Sequence, residues 1–381
     1  MTTTINASTT AGLVNTADTS GVLALQTAGT TAVSISASQV VTLTNALAEA
    51  SGGTGTTTGY YGFKNRIING AMTIWQRATT QTFTNSLVYG SVDRWVFLQG
   101  GASASISQTQ STSVPTGFQY AIKQQRTAAS TTTGTVYSVQ EIETVNCLDL
   151  AGQAVTLSFW AKCGANFSAS GSTLTSLIYQ GTGTDEGTTS WISGTWTSPT
   201  SNTQSNTLTT SYQKFTQTVT LGASTTELVI ALQWNPVGTA GADDSVFITG
   251  VQLEKGSTAT SFDYRPYGTE LALCQRYYAK FSSLSGVYVG FGSGVSTATT
   301  SASIVVKYPV RMRAAPTISQ SNTGLYDGGG VNAVTSIGGS YYGDETLFTN
   351  INVASGLTLG RGCIWCGANN ASAYIDLSSE L

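Results

Sequence analysis

A folded chain must keep its surface wetted, and this one has almost no charge with which to do so. Charged residues make up only 9% of its 381 residues, against roughly 25% in an ordinary soluble protein. Thr, Ser, Ala and 42 Gly take their place. Long helices usually present solvated Glu/Lys faces, so hydroxyls and backbone amides as the wetting groups argue against a helical protein. Thr, Val, Ile and the aromatics suit strands, and Gly, Ser and Asn suit the turns between them. The expected class is all-β.

The same scarcity of charge excludes functions. The net charge is −3 and histidine is absent. A chain without a basic footprint does not fit nucleic acid or an anionic membrane as its main partner. Without histidine there is no His-based triad and no usual His-containing zinc site. No apolar run reaches the ~18 residues of a spanning helix, so membrane insertion is not expected. The opening MTTTINASTT has neither the positive region nor the apolar stretch of a signal peptide. The five cysteines, 147, 163, 274, 363 and 366, are an odd number and read as buried free thiols.

Along the chain, residues 1–59 form a first region, nearly uncharged. VLALQ (22–26) and TAVSIS (31–36) read as short strands, and SGGTGTTTG (51–59) as a flexible joint. So short a segment gains order by packing on copies of itself or on a partner, which makes it an attachment and oligomerisation region. From Tyr60 strand candidates recur at 66–76, 92–99, 118–125, 136–143, 154–164, 212–221, 227–234 and 245–256. Eight strands over ~200 residues predict an antiparallel β-sandwich or jelly roll over 60–265. The Ser/Thr/Gly-rich stretch 165–211 reads as one long loop carrying Trp191 and Trp196. Trp95 and Trp160 read as core. TELALCQRYYAKF (269–281) is the single helix candidate, with Leu271, Cys274 and Tyr278 on one face and Thr269 as cap. It belongs to a connecting segment, 266–281. Strand candidates at 304–310, 347–354 and 373–377 then predict a smaller C-terminal β domain, 282–381.

Three segments resemble the fibre proteins of tailed bacteriophages. NRIINGAMTIWQR (65–77) with DRW (93–95) is similar to the opening of that family's C-terminal module, and GVQLEKGSTATSFDYRPYGTELALCQRYY (250–278) to its close. INASTTAGLVNTADTSGVLALQTAGTTAVSISASQ (5–39) is similar to the start of many aquatic-phage fibre proteins. The middle segment also looks like carbohydrate-binding jelly rolls. The resemblance implies a virion protein made in the host cytoplasm that acts outside the host cell. It implies a homotrimer whose N-terminal region joins other tail proteins and whose free end binds a host surface glycan or protein. A capsid decoration or head fibre would share these features, and a polysaccharide depolymerase tailspike is the enzymatic alternative.

That alternative needs two carboxylates flanking a sugar groove. The adjacent acids Asp185-Glu186, Asp243-Asp244 and Asp344-Glu345 sit in loop-like context, and neighbours on a strand face opposite ways. They read as solvated or calcium-binding loops, so no catalytic residue, metal ligand or cofactor site is assigned. CIWC (363–366) reads as strand, with Cys363 and Trp365 on one face. In FDYRPYG, Arg265 or Arg276 could pair with Asp263 or Glu270, and a solvated pair is the alternative. Sugar recognition would use aromatic faces with polar groups beside them. The candidates are Tyr326 and Asp327 in LYDGGG, Tyr341 and Tyr342 in SYYGDE, Trp365, and the loop residues Trp191 and Trp196.

Overall fold

The computed structural model describes residues 22–43, 63–84, 87–100, 105–284 and 287–381, apart from the side chains of Thr27 and residues 340–342. The expected joint at 51–59 and most of the N-terminal segment fall outside them. The chain divides into two compact units, residues 1–62 and 63–381. It is almost wholly β, 47% strand and 7% helical.

In the first unit, strands Leu23–Thr27, Thr30–Ile35 and Val41–Leu43 form one antiparallel sheet. The first hairpin turns at Ala28 and Gly29, both with positive φ, as a two-residue hairpin requires. Leu25 and Val41 remain exposed.

The second unit opens with an antiparallel β-sandwich. One sheet runs in the order Gln213–Thr220, Ala154–Cys163, Ser245–Lys255, Ala121–Arg126, Ser105–Ser111, Thr80–Thr84. The other runs Thr200–Thr207, Thr173–Gly181, Glu227–Trp234, Val136–Ile142, Val96–Gln99, Leu87–Tyr89. Alternation places Val155, Leu157 and Phe159 of one sheet in the core with Leu228, Ile230, Leu232 and Trp234 of the other. Trp95 joins that core, whereas Trp160 is only half-buried. Beyond the sandwich, six strands close a barrel: Gly290–Ala298, Ser301–Lys307, Thr346–Val353, Val331–Tyr342, Gly324–Tyr326 and Gly362–Cys366. Ile304, Val306, Leu325, Leu347, Ile351 and Trp365 fill its core. A three-stranded sheet, Tyr278–Ser282, Tyr374–Ser378 and Thr317–Ser321, packs its Ala279, Ile318, Ile375 and Leu377 against that core.

Several expectations are corrected. The stretch 66–76 forms turns and coil rather than a strand, because Asn69 is held in the left-handed region (φ 57) as a hydrogen-bond hub. Its amide donates to the Ile74 and Asp93 carbonyls at 2.9 and 3.0 Å. Its side-chain oxygen accepts from the N–H groups of Thr73 and Ile74. A Cβ at Gly70 would overlap the Val251 carbonyl, so the pair Asn69-Gly70 answers to backbone packing. The stretch 165–211 is not one loop: it contributes strands Thr173–Gly181 and Thr200–Thr207, and a second helix, Thr188–Ser193, ends at Gly194 with φ 71. The helix expected over 269–281 spans Tyr267–Gln275 and has Pro266 rather than Thr269 at its N-cap. Tyr278 instead starts a strand paired with Tyr374–Ser378, and the Tyr277 carbonyl accepts from Ser379 N–H at 2.8 Å. Sheet pairing there outweighs helical spacing. All five cysteines are free and buried.

Two of the segments that resemble fibre proteins, 65–77 with 93–95 and 250–278, contribute to a set of ion pairs within the second unit. Buried Arg94 pairs with Glu380 and lies 3.5 Å over the Tyr277 ring. Arg77 pairs with the same Glu380 at 3.0 Å. Arg265 pairs with Glu270 at 3.1 Å, both nearly buried, which replaces the solvated alternative. Arg276 pairs with Glu143 at 3.1 Å.

Candidate functional site

The outward row of the barrel supplies an unusual surface. Strand register carries one line of residues around it: Tyr326 opposite Ile364, Ile364 opposite Ser293, Ser293 opposite Val305, Val305 opposite Phe348, and Phe348 opposite Tyr341. Tyr326, Ile364, Val305 and Phe348 are each more than 40% exposed. Inward neighbours on the same strands are buried, as strand alternation demands.

Along this row lie three adjoining depressions of about 450, 410 and 490 Å³, all sharing Ile364. Together they form one trough. Tyr288, Tyr326 and Val331 wall one end, and Val305 and Lys307 the other. Its floor is made of Gly290, Gly292, Gly294 and Gly362. At Gly294 a Cβ would overlap the Ser303 carbonyl, so close strand packing excludes a larger residue there, and Ser293 between Gly292 and Gly294 adds only a small hydroxyl group to the floor. A shallow floor of small residues flanked by exposed aromatic rings can take the flat apolar face of a sugar, with hydroxyls and amides at its rim.

Of the residues expected at a site, Tyr326 lies in this trough. Asp327 also lines it, but its carboxylate serves its own loop. Oδ1 accepts from Gly329 N–H at 3.0 Å and Oδ2 from Thr358 N–H at 2.9 Å. Those bonds hold its carboxyl below the ordinary value. It is 4% exposed, so it shapes the turn rather than meeting a ligand. Trp365 is corrected outright. It is fully buried in the barrel core, and its indole N–H donates to Thr323 Oγ1 at 2.8 Å. Strand alternation turns it inward with Cys363 while Ile364 faces out. The backbones of Tyr341 and Tyr342 lie on the strand beside Phe348 and Leu347, and their side chains are outside the described residues. Tyr288 and Ile364 were not expected.

Trp191 and Trp196 lie elsewhere, on the outer face of the second sandwich sheet. There Val96, Val139, Leu177, Val229 and Ala231 form a separate apolar cluster. Trp196 is buried in it and donates to the Glu186 carbonyl at 2.9 Å. That burial corrects its reading as a ligand platform. Trp191 stands edge-on between Tyr137 and Tyr179, 5.9 Å from each ring centre, so packing occupies both its neighbours. Beneath them lies Glu141, 3% exposed, neither of whose oxygens has a hydrogen-bond partner. Burial pushes its carboxyl up to about 7. Glu227, nearby, is also raised to about 7 by burial, although it accepts from the N–H groups of Gly183 and Glu186.

Five of the six adjacent acids are engaged within the chain, and Glu345 is exposed. Asp185 accepts from Thr144 N–H, and Glu186 from Thr197. Asp243 pairs with Lys123 at 3.0 Å and Asp344 with Arg311 at 2.6 Å. Asp244 overturns the solvated-loop reading: it is fully buried, 2.7 Å from fully buried Arg126. Among the described residues no group of three or more Cys, Asp or Glu stands together as a metal centre, and no helix is long and apolar enough to cross a membrane.

No protein-family model matches the chain, and no curated protein matches it. Solved structures similar to it include the enzymatically active domain of tailspike protein 4 of bacteriophage CBA120, at 14% identity and a TM-score of 0.33. That alignment covers 50% of this chain and 21% of the tailspike chain. A carbohydrate-binding module in complex with β-1,4-galactotriose aligns at 13% identity and a TM-score of 0.29, over 51% of this chain and 99% of its own. A xylan-binding domain from Paenibacillus barcinonensis aligns at 6% identity and a TM-score of 0.28, over 47% and 95%.

Proposed function

We propose that this chain is a non-enzymatic bacteriophage tail fibre protein that holds a host surface glycan in the barrel trough. The carrying observation is the trough itself: exposed Tyr288, Tyr326 and Ile364 around a glycine floor. The tail fibre assignment rests on the three segments that resemble fibre proteins. Binding without cleavage is supported by the acids at the trough. Among the described residues Asp327 is the one carboxylate lining it, and both of its oxygens are engaged, whereas glycoside hydrolysis takes two.

Assembly as a homotrimer, with the N-terminal region joining other tail proteins, belongs to the same proposal. The small sheet of residues 23–43 supports it, because it leaves Leu25 and Val41 exposed and three short strands order poorly alone. Repeated copies would turn weak single sites into durable adhesion through effective concentration.

The test is adsorption competition. Purified protein should block phage adsorption to the host, and the Tyr288→Ala/Tyr326→Ala double variant should lose at least tenfold in blocking potency while folding normally. Full blocking by that variant would reject the trough as the site. Release of reducing ends from host polysaccharide would reject binding without cleavage.

A further inference from the structure

The charges around the trough go further than its rings. Most charged side chains of the barrel region are engaged. Arg311 pairs with Asp344, and Arg313 donates to the Ser379 and Glu380 carbonyls. Asp376 accepts from Tyr278 and Ser319, and Glu380 pairs with Arg77 and Arg94. Asp327 accepts from two N–H groups of its own loop, and its carboxylate is also within electrostatic reach of Arg361, without a direct ion pair between them. Two exposed cations remain without an ion pair among the described residues, Lys307 and Arg361, and both flank the trough. Lys307 lines one end. Arg361 stands beside Gly362, past the part of the trough lined by Asp327 and Gly328; its guanidinium lies 3.6 Å from where a Cβ of Gly329 would stand, over the turn that follows Asp327. The remaining acid near this row is Glu345, exposed in the turn before Thr346, the strand partner of Lys307.

Register sets their separation. Val305 and Ile364 both lie opposite Ser293. Lys307 is two residues past Val305, and Arg361 three before Ile364, on strands running the same way. Two plus three residues at roughly 3.3 Å each put the cations about 17 Å apart along the strands. A compact anion cannot meet both, but a chain with spaced negative charges can lie along the glycine floor and reach each end.

We infer that the trough takes an acidic polysaccharide, with Lys307 and Arg361 each meeting a separate carboxylate of the polymer. This rests on the glycan reading above and narrows it. Because the net charge is −3, the attraction is local and screened by salt beyond about 10 Å at 0.1 M.

The full chain is tested on immobilised polygalacturonate, its methyl ester and dextran. Polygalacturonate should bind about tenfold more tightly than the ester or dextran, and that advantage should vanish at 0.5 M NaCl. Lys307→Gln and Arg361→Gln should each weaken polygalacturonate binding about threefold to fivefold. Their effects should multiply in the double variant, since distant sites act independently. Equal binding of acid and ester, unchanged binding by the variants, or competition by millimolar inorganic phosphate as strong as by the polymer would each overturn the inference. The glycan reading falls by a different result, full blocking of phage adsorption by the Tyr288→Ala/Tyr326→Ala protein. The two failures are therefore distinguishable.

Discussion

The sandwich encloses two of its arginines, and the barrel displays two cations of its own. Arg94 and Arg126 are almost wholly enclosed, each neutralised by a carboxylate and bonded to backbone carbonyls. Lys307, at the edge of the trough, and Arg361, beside it, are both exposed. Buried ion pairs are costly to break and position structure. Exposed cations contribute little to stability and stay available for a partner. Arg94 lies in a segment that resembles fibre proteins, whereas the residues of the trough lie outside all three such segments. Enclosed charge and open surface thus fall on different stretches of the sequence.

The largest effect should come from cutting one buried pair. Arg126→Ala leaves Asp244 charged, enclosed and unpaired, and should cost about 3–5 kcal/mol. Denaturant unfolding reads it, and a loss under 1 kcal/mol would show the pair to be dispensable. In the barrel the matching test is Trp365→Ala, at about 3–5 kcal/mol for emptying a buried indole. By contrast Tyr326→Ala should change stability by less than ~0.5 kcal/mol while weakening adsorption. If the two swapped effects, the assignment of Trp365 to core and Tyr326 to surface would fail.

A smaller, pH-dependent effect sharpens the contrast. Glu141 and Glu227 are raised to about 7, and Asp93 to about 6, each chiefly by burial. Each binds its proton more tightly when folded, so the stability it contributes at acid pH is lost as pH rises toward its folded value. The melting temperature should drop by a few degrees between pH 5 and pH 8, and Glu141→Gln should flatten that slope. Asp327 has the opposite sign. Its lowered value stabilises the barrel above about pH 4 and is lost on acidification. Asp327→Asn should therefore leave the neutral-to-alkaline slope unchanged while removing part of the acid sensitivity, read by thermal melts at pH 3 to 5.

Much of the frame was legible along the chain. Strands such as Ala154–Cys163, Glu227–Trp234 and Ser245–Lys255 fall where apolar runs and alternation placed them. The site was less legible. Tyr326 could be named from its turn, but Tyr288 and Ile364 could not. Cys363 and Trp365 share one strand face as read, but Trp365 was misread as a site candidate because the strand pattern alone does not reveal which face is enclosed.

Sequence alone determined the class and the chemistry. A chain poor in charge and rich in Thr and Gly folds as antiparallel sheets, and one without histidine has no histidine-based chemistry. Composition and period two are local properties, so they survive without coordinates. Only the tertiary structure decided which side of each strand faces solvent and which cations keep partners. It closed six strands into a barrel, and that closure set Tyr326, Ile364, Ser293, Val305 and Phe348 in one row. Register between distant strands fixes such a row, and no local pattern encodes it.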